Sequence, residues 1–150
     1  MRLTVWALPA IAIAVLVAVW YVAAPPRTVG DYRERSVMTL ETLRSQVETA
    51  RLWTRAIAND RVTRQAATVA FREAEEDASA AASEFAAWDP RGDTRALRST
   101  ITTLGSDVVD SLAKLRIAAE DERWDELPRL AAPLPRLADR LERVARIADT

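Results

Sequence analysis

The sequence predicts an all-α protein: a single N-terminal transmembrane helix followed by an up-and-down bundle of three to four helices with coiled-coil-like packing. Three observations predict it. The stretch from Val5 to Ala24 contains no charged residue. Helix breakers are sparse, with glycine only at 30, 92 and 105 and, between Pro26 and Pro128, proline only at 90. Beyond residue 30 the apolar residues recur at steps of three and four, the period of one helical face, and strand-like alternation is missing.

The uncharged run covers 20 positions. As a helix rising 1.5 Å per residue it reaches about 30 Å, the thickness of a bilayer core. Trp6 stands near one end and Trp20 with Tyr21 near the other, where amphipathic rings favour the headgroup level. Pro9 falls in the first turns, where a missing N–H costs least. Val22-Ala23-Ala24 has the small residues of a cleavage site, but the apolar run is longer than a signal peptide needs and Pro25-Pro26 follow at once, so an uncleaved anchor is expected. The chain then divides into a transmembrane signal anchor, 1–26, and a helical bundle domain, 27–150. Arg27, Arg33 and Arg35 outnumber Arg2 across the run, which by the positive-inside rule holds the domain in the cytoplasm. Against that, a four-residue tail before a first apolar segment is the form of a signal anchor, and the rule weakens when a whole domain follows. The expected arrangement is a single-pass protein of the cell membrane with its bundle outside the cytoplasm.

The first bundle helix is expected to open near Asp31, with Glu34 completing a capping box. Its core face reads Leu40, Leu43, Val47, Ala50 and Ile57, flanked by Val37 and Trp53. A second series, Val62, Ala66, Ala70, Ala74, Ala78, Ala81 and Phe85, runs on to Trp88. The apolar step from Ile57 to Val62 is five, and Asn59-Asp60-Arg61 is polar. Residues 31–88 are therefore either one rod of about 87 Å or a hairpin reversing at 59–61, and the matched segment lengths favour the hairpin. Asp89-Pro90-Arg91-Gly92 is a turn, after which Asp93 is placed to cap a third helix carrying Leu97, Ile101, Leu104, Val108, Leu112, Leu115 and Ala118. Ala70, Ala74, Ala78 and Ala81 are expected to face that stripe as a close internal seam. The last series runs Leu127, Leu130, Leu134, Leu137, Leu141, Val144 and Ala148. Pro128, Pro133 and Pro135 cut it into a short helical turn over Trp124 to Ala132 and a final helix from about Pro135.

Composition excludes more chemistry than it suggests. Cysteine and histidine are both absent, which removes disulfides, thiolate nucleophiles, imidazole bases and nearly all zinc, haem and iron–sulfur ligation. The 21 basic residues balance 22 acidic ones, so the chain lacks the field that nucleic-acid binding needs. Lys114 is the single lysine, a bias that fits a GC-rich bacterial genome. Glu73, Glu75, Glu76 and Asp77 are an acidic cluster without a calcium-loop pattern or a Glu-x-x-His pair, and read as a solvated face. The serines at 79, 83, 99, 106 and 111 have no base in any motif, and Gly-rich phosphate loops are missing. No catalytic residue, cofactor or metal site is assigned.

Two sets of residues remain as candidates. Arg136, Arg140 and Arg143 make a basic stripe on the last helix that can pair with the acidic face or meet a partner. Trp53, Trp88 and Trp124 are large aromatics able to line a pocket. An anchor followed by a helical bundle broadly resembles the sensor modules of bacterial receptors and single-span coiled-coil scaffolds. The expected function is a non-catalytic interaction or accessory protein that holds a helical domain at the extracytoplasmic membrane surface for a protein partner, with no nucleic acid involved. The alternative is a helical sensor or carrier domain for a small apolar ligand.

Overall fold

The computed structural model describes residues 28–89 and 94–149. The expected anchor, residues 1–26, and the turn residues 90–93 with Asp93 lie outside them. Among the described residues there is no strand, and no helix is long and apolar enough to cross a membrane.

Helix α1 spans Val29–Ala58, α2 Arg64–Ala86 and α3 Arg95–Glu120. A 3-10 turn, Trp124–Glu126, leads into the short α4, Leu127–Ala131, and then α5, Leu134–Ala148. Helix α1 packs mainly on α2 and α5 and more lightly on α3 and α4, α2 packs on α3, and α3 packs lightly on α4 and on α5, where Arg140 bonds Asp107. The four corners therefore close a ring in the order α1, α2, α3, α5, with sequence neighbours antiparallel, as short connections favour. Gln46 on α1 bonds Asp77 on α2, and Arg35 reaches Glu84, so the chain reverses after Ala58 and the hairpin replaces the rod.

The start of α1 differs from its expected place. Thr28 is the N-cap: its hydroxyl accepts from the Asp31 N–H, and the Asp31 carboxylate accepts from the Thr28 N–H, both at 3.0 Å. The box opens three residues earlier than Asp31-to-Glu34, with Asp31 itself at the third position and its carboxylate reaching back to the N-cap N–H. Thr63 caps α2 by accepting from Ala66 N–H. Pro128 and Pro135 both sit in first turns, where their missing N–H groups have no intrahelical acceptor to lose.

The core takes Leu40, Leu43, Val47 and Ala50 from α1, and Ile101, Leu104, Val108, Leu112, Leu115 and Ala118 from α3, as their spacing predicts. Leu127, Leu134, Leu137 and Leu141 fill it from the fourth corner. On α2 the buried face is Ala67, Ala70, Phe71, Ala74, Ala78 and Phe85. Ala66 is exposed and Ala81 only partly covered, so the face is rotated slightly from the expected stripe to bring Phe71 inward. Helix α1 also buries Ser36, Thr39 and Thr54. Each hydroxyl donates to the carbonyl four residues back, to Tyr32, Arg35 and Ala50, which lets a polar side chain enter a core without an orphaned donor.

Candidate functional site

The three tryptophans do not converge. Trp53, near the end of α1, packs against the core and lines an open hollow of about 420 Å³ with Thr63, Gln65, Ala66, Val69 and Glu73. Trp124, in the 3-10 turn after α3, lines a second hollow of about 370 Å³ with Arg64, Thr68, Ala119 and Glu122. The Arg64 guanidinium lies 5.6 Å from the Trp124 ring centroid, within range of cation–π attraction. The indole N–H of Trp124 is buried and has no hydrogen-bond partner among the described residues.

Trp88 belongs to the opposite end of the bundle, where α1 begins and α2 ends. Its ring meets Phe85 edge-on at 5.7 Å, and the Arg35 guanidinium stacks over it at 4.9 Å. Phe85 in turn lies 5.6 Å from Tyr32. Tyr32 is fully buried, its hydroxyl has no partner among the described residues, and burial pushes its pKa up, opposed by Arg98 and reinforced by Asp89. Nothing in the α1 pattern singled out Tyr32. It lies eight residues before Leu40, on the same helical face, which is the signal that finds it.

The arginine stripe lies on the outer, α3-facing side of α5. Arg140 pairs with Asp107 of α3 at 3.2 Å, while Arg136 and Arg143 are exposed. The acidic cluster on α2 has other partners than this stripe: Asp77 accepts from Gln46, and Glu75 bonds Arg116. Arg116 also reaches Glu120 at 2.6 Å, and Arg72 reaches Glu120 at 2.7 Å, so two arginines and two glutamates bind α2 to α3. The bond to Glu75 chiefly raises the Arg116 pKa, and the bond from Arg72 chiefly lowers that of Glu120. These carboxylates are occupied as ion-pair acceptors and do not form the close, unpaired couple that acid–base chemistry uses. Among the described residues no group of His, Cys, Asp and Glu is arranged to hold a metal ion.

A fourth feature was not visible in the sequence. Where α3 begins and α5 ends, Arg33, Thr94, Ala96, Leu97, Thr100, Val144 and Ile147 border a mainly apolar hollow of about 310 Å³. Ile147 is 68% exposed there. It stands three residues after Val144 and one before Ala148, outside the stripe read from the sequence. Comparison with known proteins yields no match: no family model fits the chain, and no curated protein or solved structure matches it.

Proposed function

We propose that the chain is a membrane-anchored, non-catalytic interaction protein that presents its helical bundle to a protein partner at the extracytoplasmic membrane surface. The observation that carries this reading is the division between a filled interior and a chemically varied exterior. Side chains from every helix meet in one core, and the large hollows are open depressions between helices. Outside, Arg136 and Arg143 project from α5, while Met38, Leu52 and Ile147 are each more than half exposed. Arginine and methionine are among the residues that protein interfaces are enriched in. The uncharged run from Val5 to Ala24 supplies the anchoring part of the reading.

The ligand-carrier alternative draws less support. A carrier needs a concave site walled by apolar side chains. Trp53 and Trp124 instead line separate depressions while Trp88 packs on Phe85, and Trp53 shares its hollow with Thr63, Gln65 and Glu73. Topology tests the leading reading: protease added to intact spheroplasts is expected to remove a tag fused after Thr150 from a chain that sediments with membranes. Full protection of the tag overturns the orientation, and recovery of the chain from the aqueous fraction overturns the anchor.

A further inference from the structure

The ring order α1, α2, α3, α5 puts the α1–α2 edge and the α3–α5 edge on opposite sides of the bundle. Those edges differ in charge. From Glu73 to Trp88 the chain has acidic residues at 73, 75, 76, 77 and 84 and no basic one. Glu75 turns to Arg116 on α3 and Glu84 pairs with Arg35 of α1, so the acidic character of the α1–α2 groove rests on Asp77, which accepts from the neutral Gln46, and on Glu73, which lines the Trp53 hollow. On α5, Arg136, Arg140 and Arg143 are the basic residues of the opposite edge, whereas Arg146 pairs with Glu142 and turns to the α1 side. Arg140 bonds Asp107 across the α3–α5 groove, and helical spacing puts Arg136 and Arg143 on that same side.

The two charged patches stand at one level along the bundle. Arg44 pairs with Glu142 on one flank of α1 and Gln46 bonds Asp77 on the other, so Arg140 to Arg143 and Glu73 to Asp77 lie at similar heights. Apolar features match as well. Met38, 60% exposed, follows Arg35 by three residues and so stands on the α2 side of α1. It lies little more than one turn from Arg33, which borders the Ile147 hollow on the opposite edge.

We propose that the partner of this bundle is a second copy of the same chain, docked side by side so that the acidic α1–α2 edge of one copy meets the basic α3–α5 edge of the next. The proposal rests on the anchored-interaction reading and names its partner. Each copy contributes two different patches, so the contact is heterologous and extends into rows or closes into rings. The bundle axes stay parallel, as a shared membrane plane requires. An isologous pair on either edge sets like charges against each other, and charge complementarity fixes the register that the small apolar contact leaves loose.

Pairwise crosslinking tests this, because the chain has no cysteine of its own. Two differently tagged full-length chains, one carrying Glu76→Cys and the other Arg143→Cys, are reconstituted together in phosphatidylcholine vesicles and oxidised. The mixed pair is expected to form at about five-fold or greater yield over either like pair, because only the heterologous contact brings those positions together. Raising salt from about 0.01 M to about 1 M cuts the screening length from roughly 30 Å to 3 Å and is expected to lower that yield several-fold. Adding Arg136→Glu to the Arg143→Cys chain is expected to abolish the crosslink, and Glu73→Arg in its neighbour to restore it. Equal yields for mixed and like pairs, or a yield indifferent to salt and charge reversal, overturn the proposal. Sedimentation of the unsubstituted chain in detergent decides independently of any variant, and a monomer at every concentration and salt overturns it too. A chain that stays monomeric in the membrane fraction sinks self-docking alone. A chain found in the aqueous fraction sinks the anchored reading, and the mixed crosslink then still decides the docking.

Discussion

Gly105 on α3 faces Ala82 on α2 so closely that a Cβ on the glycine stands 3.2 Å from the Ala82 Cβ. Real Cβ atoms rarely approach to that distance, so the two helices meet there at the limit set by a missing side chain. Replacing the glycine by alanine improves helix propensity by about 1 kcal/mol, while overpacking a seam costs about 1–3 kcal/mol. Gly105→Ala is therefore expected to destabilise the bundle by about 1 kcal/mol. In an Ala82→Gly background the contact is relieved, and the same change is expected to stabilise by up to about 1 kcal/mol. Urea unfolding of the four chains, followed by far-UV circular dichroism, measures the coupling; additive effects would remove Ala82 as the cause.

The same seam continues through Ala74, 2% exposed, and Ala78, fully buried. Leucine at either position adds three carbons between helices that are already in contact. Ala74→Leu and Ala78→Leu are each expected to cost about 1–3 kcal/mol in thermal unfolding. If both variants melt like the parent, the seam is looser than its burial indicates and the Gly105 argument weakens with it.

The helices and most of the core were legible because period 3.6 patterning survives in any helix that buries one face. Leu97 to Ala118 shows it most plainly, since nearly every residue of that series is buried. Phase was harder on α2, where alanines stand on both the inner and outer faces. Ala66 and Ala67 are equally apolar, and only the placement of Phe71 against the other helices chooses between them. Ser36, Thr39 and Thr54 were missed because their hydroxyls bond their own helix, an option that hydropathy alone does not register. The candidate arginines and tryptophans were readable as residue types. Their separation to different edges and ends of the bundle depends on ring order, which no local pattern encodes.

Tyr32 offers a test of a buried orphan. Its hydroxyl is out of contact with water and lacks a hydrogen-bond partner among the described residues, so Tyr32→Phe removes a desolvation penalty and is expected to stabilise by about 1 kcal/mol. Burial raises its folded-state pKa above the ordinary value of 10.0. A raised pKa means the unfolded chain loses this proton first as pH climbs. The contribution to stability is thus complete below pH 10.0 and is lost as pH rises toward the folded value. The phenylalanine variant is expected to hold its stability better than the parent above that pH. An unchanged alkaline profile would place the hydroxyl in contact with water or with a hydrogen-bond partner.

Arg116 and Glu120 give the opposite pH signature. The bonds from Arg72 and Arg116 lower the Glu120 pKa below its ordinary 4.5, so this contribution is present above that value and lost as pH falls through the lower folded one. Arg116 bonds two carboxylates and is partly exposed, so Arg116→Met is expected to cost about 1 kcal/mol near neutrality after allowance for solvent screening. The gap between parent and variant is expected to narrow below pH 4.5. Melts of both chains across the acid range would show it, and a constant gap would assign the loss to the arginine's packing.

Helices α1 and α3 end alike, and both ends lack the residue such endings prefer. After α1 the Arg61 N–H bonds the Ala56 carbonyl and the Asp60 N–H bonds that of Ile57; after α3, Arg123 bonds Ala118 and Glu122 bonds Ala119. These nested bonds are Schellman motifs, which require a left-handed residue at the turn. Asp60 takes it at φ 53° and Glu122 at φ 59°. Glycine adopts that conformation freely, whereas a side chain there crowds the following carbonyl at a cost of about 1–2 kcal/mol. Aspartate recovers part of that cost by bonding the local backbone, and glutamate, one carbon longer, does so less well. Glu122→Gly is therefore expected to stabilise the bundle by about 1 kcal/mol and Asp60→Gly by about half that, the remainder being offset by the greater freedom of glycine in the unfolded chain. Glu122→Ala separates conformation from charge, because alanine removes the carboxylate and keeps the Cβ. Chemical denaturation is expected to rank the three Glu122 chains with glycine highest and alanine near the parent. If alanine matches glycine, the carboxylate beside Glu120 and Asp121 is the source of the strain and the left-handed backbone is not.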